Sequence, residues 1–472
     1  MKTTIASIIT LLFSFLALSQ NNQNLTLNEC IEIALKNNLD LKTAKLSAET
    51  STVNYKRNRN ALLPSINGNW NYGISQGRSI DPYTNDFVNE RLEYSNAGLG
   101  LDATVFNGFR LLNSLKQGKL NMEAAEMQVE EAKQNLVLDV TLAFLQALNS
   151  RELLKLAENR IASTREQAGR LKTMFEEESG NPAEYRDLQG QVASDEASLV
   201  STRNSLTDAL LNLAQLMNVD YEINADGLAL LMDFKEYGLS PKEVYDDALN
   251  NLATFKTREL QLAAAQKGVA VARAQYTPEV SFFANLNTNY SSAARLFNEN
   301  GTLVEDTGAF VNYDGQVLPV FTENTQFAAE EISYRDQFDN NLNSSIGVYV
   351  SVPIFNGWRA KQNVQLEKIK RDQAQTNLEQ TELQLSTNIK QAYYDMQAAL
   401  QRFNALEAQV EASEESFRIN EIRFNNGVTN SVDYIVSKNN LENARINLAN
   451  VRYEYMLRVK VLEYYRGNMD LQ

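Results

Sequence analysis

The chain has 472 residues, 44 of them basic and 59 acidic, and a formal net charge of −15 at pH 7. This charge argues against a nucleic-acid-binding protein, which carries a basic patch or stripe. The chain has no histidine, so the commonest general base and metal ligand is missing, and its single cysteine excludes an intrachain disulfide. Length alone suggests two or three domains, but few glycines and prolines favour long helices instead.

The N-terminal residues predict a secretory signal peptide over 1–19. Lys2 supplies a positive start, residues 5–18 form an apolar run, and Ala17-Leu18-Ser19 is a small-x-small cleavage site. The run is too short for a transmembrane helix. We therefore expect an exported protein whose mature N-terminus is Gln20.

Cys30 is the one position at which a lipid anchor can be considered. A lipoprotein cysteine follows small residues, whereas Cys30 follows Asn28 and Glu29 and falls inside a predicted helix. We therefore expect no lipid at Cys30, and the sequence assigns it no other role.

The two halves of the chain, 20–238 and 239–472, repeat the same motifs. The matching segments are 25–29 with 239–243, 61–65 with 274–279, 105–110 with 354–359, and 175–185 with 424–434. A repeat of this length is too long for a solenoid unit and indicates duplication of a whole half. Each half is expected to contain a helix, two strands, a long helix and a shorter helix.

Four segments alternate between apolar and polar residues with the period of a β-strand, at about 65–75, 96–106, 279–290 and 342–354. Each has about ten residues, the length of a tilted membrane-crossing strand. Asparagine recurs on the polar side, where a dry core would leave amides unpaired at about 1–3 kcal/mol each. This favours a water-filled β-barrel, and a half-buried strand in a soluble sandwich is the alternative.

Four strands are too few for one chain to close a transmembrane barrel, since the smallest single-chain examples have eight. Open sheet edges are excluded from lipid. Several copies are therefore expected to share one barrel, and the strand count does not fix their number.

The remaining sequence predicts helices of coiled-coil length. They are expected at about 27–62, 111–176, 187–217, 241–276, 360–425 and 434–464. In each half the two shorter helices together match the long one, so they are expected to run end to end beside it. Apolar positions such as Leu136, Val140 and Ala143 recur at steps of three and four. An intracellular coiled-coil scaffold is the alternative, but it would lack a signal peptide and such strands.

Residues 291–340 separate the last two predicted strands and hold nine acidic and two basic residues. This polarity predicts a loop insertion exposed outside the cell.

These motifs together identify a resemblance to the TolC family of outer-membrane efflux proteins (outer membrane factors), across nearly all of the mature length. The matching residues are Phe106-Asn107-Gly108 and Phe355-Asn356-Gly357, the turn 424–433, and the C-terminal segment 443–453. A single Phe-Asn-Gly would be weak, whereas the combination is specific.

The resemblance implies a mixed α and β membrane protein of the Gram-negative outer membrane. It implies a homotrimer with one twelve-stranded transmembrane β-barrel and a long α-helical tunnel projecting into the periplasm. Its partners would be a periplasmic adaptor (membrane fusion) protein, an inner-membrane pump and outer-membrane lipid, with no nucleic acid. It also implies a passive exit duct without catalysis, cofactor or metal.

The resemblance further implies a periplasmic gate at the turns between helices. Asp433 and Glu184 match acidic lumen positions, where a ring of carboxylates would select cations. Both also lie where a carboxylate simply stabilises the start of a helix. Phe424, Thr429 and Val436 depart from the polar latch of the family, so the ionic latch is not carried over, and an ionic gate and an apolar or looser gate remain alternatives.

The same turns would dock the adaptor. The residues concerned are Gly180 and Asn181 in the first half, and Gly427 and Asn430 in the second.

Two other functions were weighed. A surface-exposed structural or adhesin trimer would display the 291–340 segment and conduct no ions. A hydrolase using Glu176, Glu177 and Glu178 would need a nucleophile motif that the chain lacks, and a solvated acidic turn explains this run. The sequence identifies neither the cargo nor the class of pump.

Overall fold

The structure is a computed structural model that describes residues 25–80, 85–89, 91–179, 181–229 and 236–467. The predicted signal peptide and mature N-terminus lie outside the described residues. The described residues divide into two compact units. The first, here the helical unit, takes its residues from 1–55, 117–266 and 369–472, and the second, here the sheet unit, from 56–116 and 267–368.

The helices of the described chain are α1 (Leu27–Asn37), α2 (Leu39–Asn60), α3 (Arg110–Glu176), α4 (Pro182–Met217), α5 (Pro241–Asn251), α6 (Ala253–Arg273), α7 (Tyr334–Asn340), α8 (Arg359–Asn425) and α9 (Ser431–Tyr465). The two longest, α3 and α8, each have 67 residues and therefore a length of about 100 Å at 1.5 Å per residue. Among the described residues, no helix is both long and apolar enough to cross a membrane.

Elements of matching length recur in the two halves of the chain. The helices α1 and α5 both have 11 residues, and each begins with a reciprocal capping box, Thr26 with Glu29 and Ser240 with Glu243. The helices α2 and α6 have 22 and 21 residues, and α4 and α9 have 36 and 35. The local sequence at the start of each half therefore folds in the same way.

Two predicted helices are interrupted in the structure. The segment predicted as one helix over 27–62 bends at Asn38, whose backbone is extended and whose side chain accepts a hydrogen bond from the amide of Leu41 at 3.0 Å. The segment predicted over 241–276 is interrupted at Leu252, which is also extended and is buried in the core. Each interruption follows a helix of 11 residues. The side chain of Asn38 stabilises the first break by its hydrogen bond, and the burial of Leu252 stabilises the second.

The strands are β1 (Leu25–Thr26), β2 (Ser65–Ser75), β3 (Arg78–Ile80), β4 (Phe87–Asn89), β5 (Leu92–Phe106), β6 (Leu228–Ala229), β7 (Glu279–Ser291), β8 (Arg295–Tyr313), β9 (Gln316–Glu331) and β10 (Asn343–Ser351). The four predicted strands correspond to β2, β5, β7 and β10, which form one antiparallel sheet in the order β10-β7-β5-β2. Among the described residues, the outer edges of β2 and β10 have no strand partner.

The segment predicted as a loop over 291–340 contains regular structure. Strands β8 and β9 pair as a long antiparallel hairpin, and α7 follows it. Its tip is Asp314-Gly315, and both residues have positive φ angles, 53° and 84°. Asp-Gly is the sequence favoured in such two-residue turns, so the hairpin had a local signal that the acidic composition concealed. Its position outside the cell stays a prediction.

Three apolar clusters form the core of the helical unit. The first joins α1, α3 and α4 around Phe144, and the second joins α5, α8 and α9 around Ile389. The third is smaller and contains Leu171, Leu188, Phe424 and Tyr434. The first two clusters use corresponding helices of the two halves, so the repeated sequence buries a repeated core.

Candidate functional site

The turn from α8 to α9 is held by backbone geometry and a side-chain cap. Gly427 has a φ of 69°, a conformation that costs glycine little. The side chain of Asn430 accepts a hydrogen bond from the amide of Asp433 at 3.0 Å and so caps α9. Of the two predicted docking residues here, Gly427 therefore shapes the turn and Asn430 starts the helix.

Asp433 lies exposed in the first turn of α9. Its Oδ2 accepts a hydrogen bond of 2.7 Å from the hydroxyl of Thr429. A carboxylate at this position stabilises a helix N-terminus, so the capping interpretation is observed directly. The same exposure leaves the carboxylate available to solvent, and its place in a lumen stays a prediction.

Phe424 lies in the interior of the helical unit, with only 8% of its surface exposed. Its ring stacks on Tyr434 with centroids 4.8 Å apart, beside Leu171 and Leu188. The ring of Phe424 therefore packs in the smallest core cluster, and its part in a gate stays a prediction.

Val436 is exposed, and two further valines that the sequence analysis did not select accompany it. Val428, Val432 and Val436 are 65%, 56% and 52% exposed. Val432 and Val436 lie four residues apart at the start of α9, which is the spacing of one helix face, and Val428 lies in the preceding turn. The neighbourhood of Asp433 is therefore apolar as well as acidic.

The turn from α3 to α4 has a similar arrangement. Asn181 caps α4 by accepting a hydrogen bond from the amide of Ala183 at 3.0 Å, and Glu184 is half-buried in the first helical turn. Phe175 stacks on Tyr185 at 5.6 Å, as Phe424 does on Tyr434. Gly180 lies outside the described residues.

A buried polar cluster in the helical unit was missed by the sequence analysis. Lys438 on α9 and Asp195 on α4 are each 2% exposed, and Thr164 on α3 is fully buried between them. Arg160 also donates to Asp195, at 2.8 Å. The only sequence signal was the spacing, since Lys438 falls among apolar positions that recur every three or four residues along α9.

Burial lowers the pKa of Lys438 to about 8 from its ordinary value of 10.5, although Asp195 and Glu442 oppose this shift. Burial also raises the pKa of Glu442. Keeping Lys438 charged in this interior therefore costs desolvation free energy. The cluster joins side chains of three helices, α3, α4 and α9.

One face of the four-stranded sheet is lined by amides. Its rows across the strands are Asn67, Gly100, Asn285, Ser345 and Asn69, Gly98, Asn287, Asn343. A Cβ added to Gly98 would lie 2.8 Å from the Oδ1 atoms of both Asn69 and Asn287. Glycine at this position therefore leaves room for the two neighbouring amides to cover the strand.

The opposite face of the sheet is apolar. One row contains Ile66, Leu101, Ala284 and Ile346. Ile66 and Ile346 are 64% and 74% exposed. The two faces of the sheet therefore differ in polarity, one apolar and one lined by amides.

The Phe-Asn-Gly signatures build the same turn twice. The asparagine accepts a hydrogen bond from the fourth following amide in both copies, Asn107 from Leu111 and Asn356 from Ala360. The next two residues have φ angles of 62–64° in each. The aromatic residue after the glycine, Phe109 or Trp358, then packs edge-on against the phenylalanine of the signature and stays about 60% exposed.

No group of three or more acidic or cysteine side chains arranged to hold a metal ion occurs in the described part of the chain. The run Glu176–Glu178 lies at the end of α3, where Glu176 pairs with Lys172 at 3.7 Å. This is the exposed acidic turn that the sequence predicts.

Comparison with known proteins shows which family this chain is similar to. The family model described as "Outer membrane efflux protein" matches residues 30–219 and 244–467. The outer membrane protein TolC of Vibrio cholerae is 23% identical over 414 residues, which cover 88% of this chain and 84% of that protein. The alkaline protease secretion protein AprF of Pseudomonas aeruginosa is 21% identical, with coverage of 99% and 90%.

The fold is also similar to a solved channel. The CmeC outer membrane channel of Campylobacter jejuni superposes with a TM-score of 0.76 at 18% identity, covering 94% of this chain and 85% of that one. These relatives are named for channel and secretion functions. The recognition made from the repeated turns and Phe-Asn-Gly signatures is confirmed: the chain belongs to the outer membrane efflux protein family, the family of TolC.

Proposed function

We propose that this chain is one subunit of a homotrimeric outer-membrane duct that releases cargo from a tripartite efflux or type I secretion system. The observation that carries the proposal is the four-stranded sheet with an amide-lined face, an apolar face and two unpaired outer edges among the described residues. Such edges are unstable in lipid unless other strands pair with them. Three copies would supply the twelve strands of a closed barrel.

Partners follow from the relatives. The outer membrane protein TolC and the alkaline protease secretion protein AprF are both similar to this chain over most of its length. The helical unit would form a periplasmic tunnel, and its turns around Asn181 and Asn430 would contact a periplasmic adaptor joined to an inner-membrane pump. The duct itself is passive, and we propose no catalysis or cofactor.

The proposal is tested by stoichiometry and conductance. The detergent-solubilised protein is imaged by electron microscopy and then reconstituted in planar bilayers. Three copies around one closed barrel and a steady ion conductance are expected. A stable monomer, or a trimer that conducts no ions, would contradict the duct.

A surface trimer that displays the hairpin is the second candidate, favoured by one observation. Strands β8 and β9 expose large apolar side chains, including Phe297, Phe310, Phe321 and Phe327. Replacing residues 295–331 by a short linker separates the two functions. Export and conductance persist in this variant if the chain is a duct, whereas surface adhesion without conductance by the intact protein favours display.

A further inference from the structure

A cavity of about 330 Å³ lies within the sheet unit, where strands end and long helices begin. Its walls include Arg110 and Arg359, which are the first residues of the 67-residue helices α3 and α8. A helix N-terminus carries a partial positive charge, although Asn107 and Asn356 already accept hydrogen bonds from the first amides of these two helices. Two helix starts and two guanidinium groups thus meet at one cavity.

The charge in this cavity is only partly compensated. Arg110 pairs with Glu279 at 3.7 Å, and both side chains remain close to half exposed. Arg359 instead donates from Nε to the backbone carbonyl of Asn356 at 3.0 Å. Of the charged residues that line the cavity, two are arginines and one, Glu279, is acidic. The cavity therefore keeps a net positive charge.

An unpaired donor adds an independent observation. Asn107 lines the cavity and is only 7% exposed. Its Oδ1 accepts from the amide of Leu111, but its Nδ2 has no hydrogen-bond partner among the described residues. A buried donor without a partner costs about 1–3 kcal/mol. This wall of the cavity therefore presents a buried hydrogen-bond donor that no described protein group accepts from.

The cavity lies at the end of the amide-lined face of the sheet. Glu279 and Ser351 are paired across β7 and β10 and belong to the same alternation as Asn285 and Ser345. Both Glu279 and Ser351 line the cavity. An anion that follows the polar face would therefore reach the two arginines at its end.

We propose that this cavity is a binding site for a phosphate-type oxyanion, held by Arg110, Arg359 and the amide of Asn107. Guanidinium groups bind such oxyanions through paired, charge-assisted hydrogen bonds, and helix N-termini stabilise the same charge. Glu279 competes with the anion for Arg110. The binding itself does not depend on the proposed function. The idea that the bound anion is a solute in transit rests on the proposed duct.

The binding is measured by calorimetry on the full-length, detergent-solubilised protein titrated with sodium phosphate at constant ionic strength. Saturable binding is expected. Arg359→Gln should weaken it at least about tenfold, because one charge-assisted contact is lost. Glu279→Gln should strengthen it by freeing Arg110. The control Arg371→Gln, on the same helix but paired with Asp372 outside the cavity, should leave it unchanged.

A second arm separates the two sources of phosphate. The same variants are titrated with micelles of a short-chain phosphatidylglycerol, whose headgroup carries the phosphate. Binding of soluble phosphate identifies a solute site, and binding of the micelle alone identifies a headgroup site. The proposal is overturned if neither binds saturably, if Arg359→Gln binds as the unsubstituted chain does, or if Glu279→Gln weakens binding.

The outcome is independent of the duct. Conductance in planar bilayers without phosphate binding retains the proposed function and rejects the site. Phosphate binding by a protein that does not conduct ions retains the site and rejects the duct.

Discussion

Asp195 and Lys438 lie on different helices and are joined through the hydroxyl of Thr164. Lys438 donates to the Thr164 oxygen at 2.7 Å, and that hydroxyl in turn donates to Oδ2 of Asp195. Arg160 on the helix of Thr164 donates to the other carboxylate oxygen at 2.8 Å. The buried carboxylate of Asp195 on α4 therefore connects this helix to α3 and α9. Asp433 lies in the first turn of the same helix α9.

The first prediction is that Asp195→Asn strongly destabilises the helical unit. The substitution keeps the shape of the side chain but removes the buried charge that Arg160 contacts, and it leaves Glu442 to compensate Lys438. Breaking a buried ion pair in this way costs about 3–5 kcal/mol. Thermal unfolding of the solubilised protein, followed by circular dichroism, should show a clearly lower midpoint.

The neighbouring substitution Glu196→Gln is the matched control. Glu196 pairs with Arg165 at 2.8 Å, but both side chains are at least half exposed. An exposed pair contributes about 0–1 kcal/mol, so its midpoint should hardly move. Equal midpoints for the two variants would show that the buried cluster carries no special stability.

The second prediction concerns pH. The pKa of Lys438 is about 8 in the folded chain, below its ordinary 10.5, because the ammonium is buried. Between these values the unfolded chain binds a proton that the folded chain does not, so the free energy of unfolding rises with pH. At 1.36 kcal/mol per unit of pKa shift, the full rise is roughly 3 kcal/mol.

This rise should be absent in Lys438→Met. Unfolding midpoints of both proteins are compared between about pH 8 and pH 9.5, below the range in which tyrosines ionise. Burial raises the pKa of the Cys30 thiol to about 12, which lowers the free energy of unfolding over this range in both proteins, so the difference between the two proteins reports Lys438. Lys172→Met is the control, because Lys172 is exposed and pairs only with Glu176. A pH dependence that survives in Lys438→Met would mean that this lysine is not the group responsible.

The elements that the sequence predicted best have strong periodic patterns. Alternating apolar residues located the four sheet strands, and spacing at three and four residues located α3 and α8 to within about two residues. The breaks at Asn38 and Leu252 were missed because the apolar pattern continues across both. Each break depends on a cap or a buried contact that forms only in the folded chain.

The candidate gate was predicted less completely, for a related reason. The assignment of Asp433 to a gate comes from the resemblance to the TolC family, and it stays a prediction. The location of Phe424 in the core depends on Leu171 and Leu188, which lie more than 200 residues earlier in the chain. The cluster around Lys438 likewise depends on partners from two other helices, so a lysine at an apolar spacing could not be distinguished from a solvated one.

The third prediction concerns the amide-lined face. Gly98→Ala should destabilise the sheet only slightly, by at most about 1 kcal/mol, because the new Cβ would lie 2.8 Å from the Oδ1 atoms of Asn69 and Asn287, which are the ends of side chains that can turn away. Gly68→Ala is the matched control, since its Cβ meets only Leu99 at an ordinary 3.8 Å. The yield of folded protein and the unfolding midpoint should fall in the first variant alone, and a similar fall in both would remove the argument from crowding.

The last prediction concerns Asp433 and the proposed duct. If three copies place this carboxylate around a common axis, the ring attracts cations. Asp433→Asn removes one negative charge per subunit while keeping a side chain that can accept from Thr429. Cation selectivity in planar bilayers should fall, and block by divalent cations should weaken.

Thr429→Val provides the control because it removes the 2.7 Å hydrogen bond to Asp433 without changing the charge. Its selectivity should resemble that of the unsubstituted chain. The exposed valines at 428, 432 and 436 add apolar surface to the turn and to the start of α9. Unchanged selectivity in Asp433→Asn would leave the carboxylate only its observed position at the start of α9, and the gate would then be formed by the apolar residues.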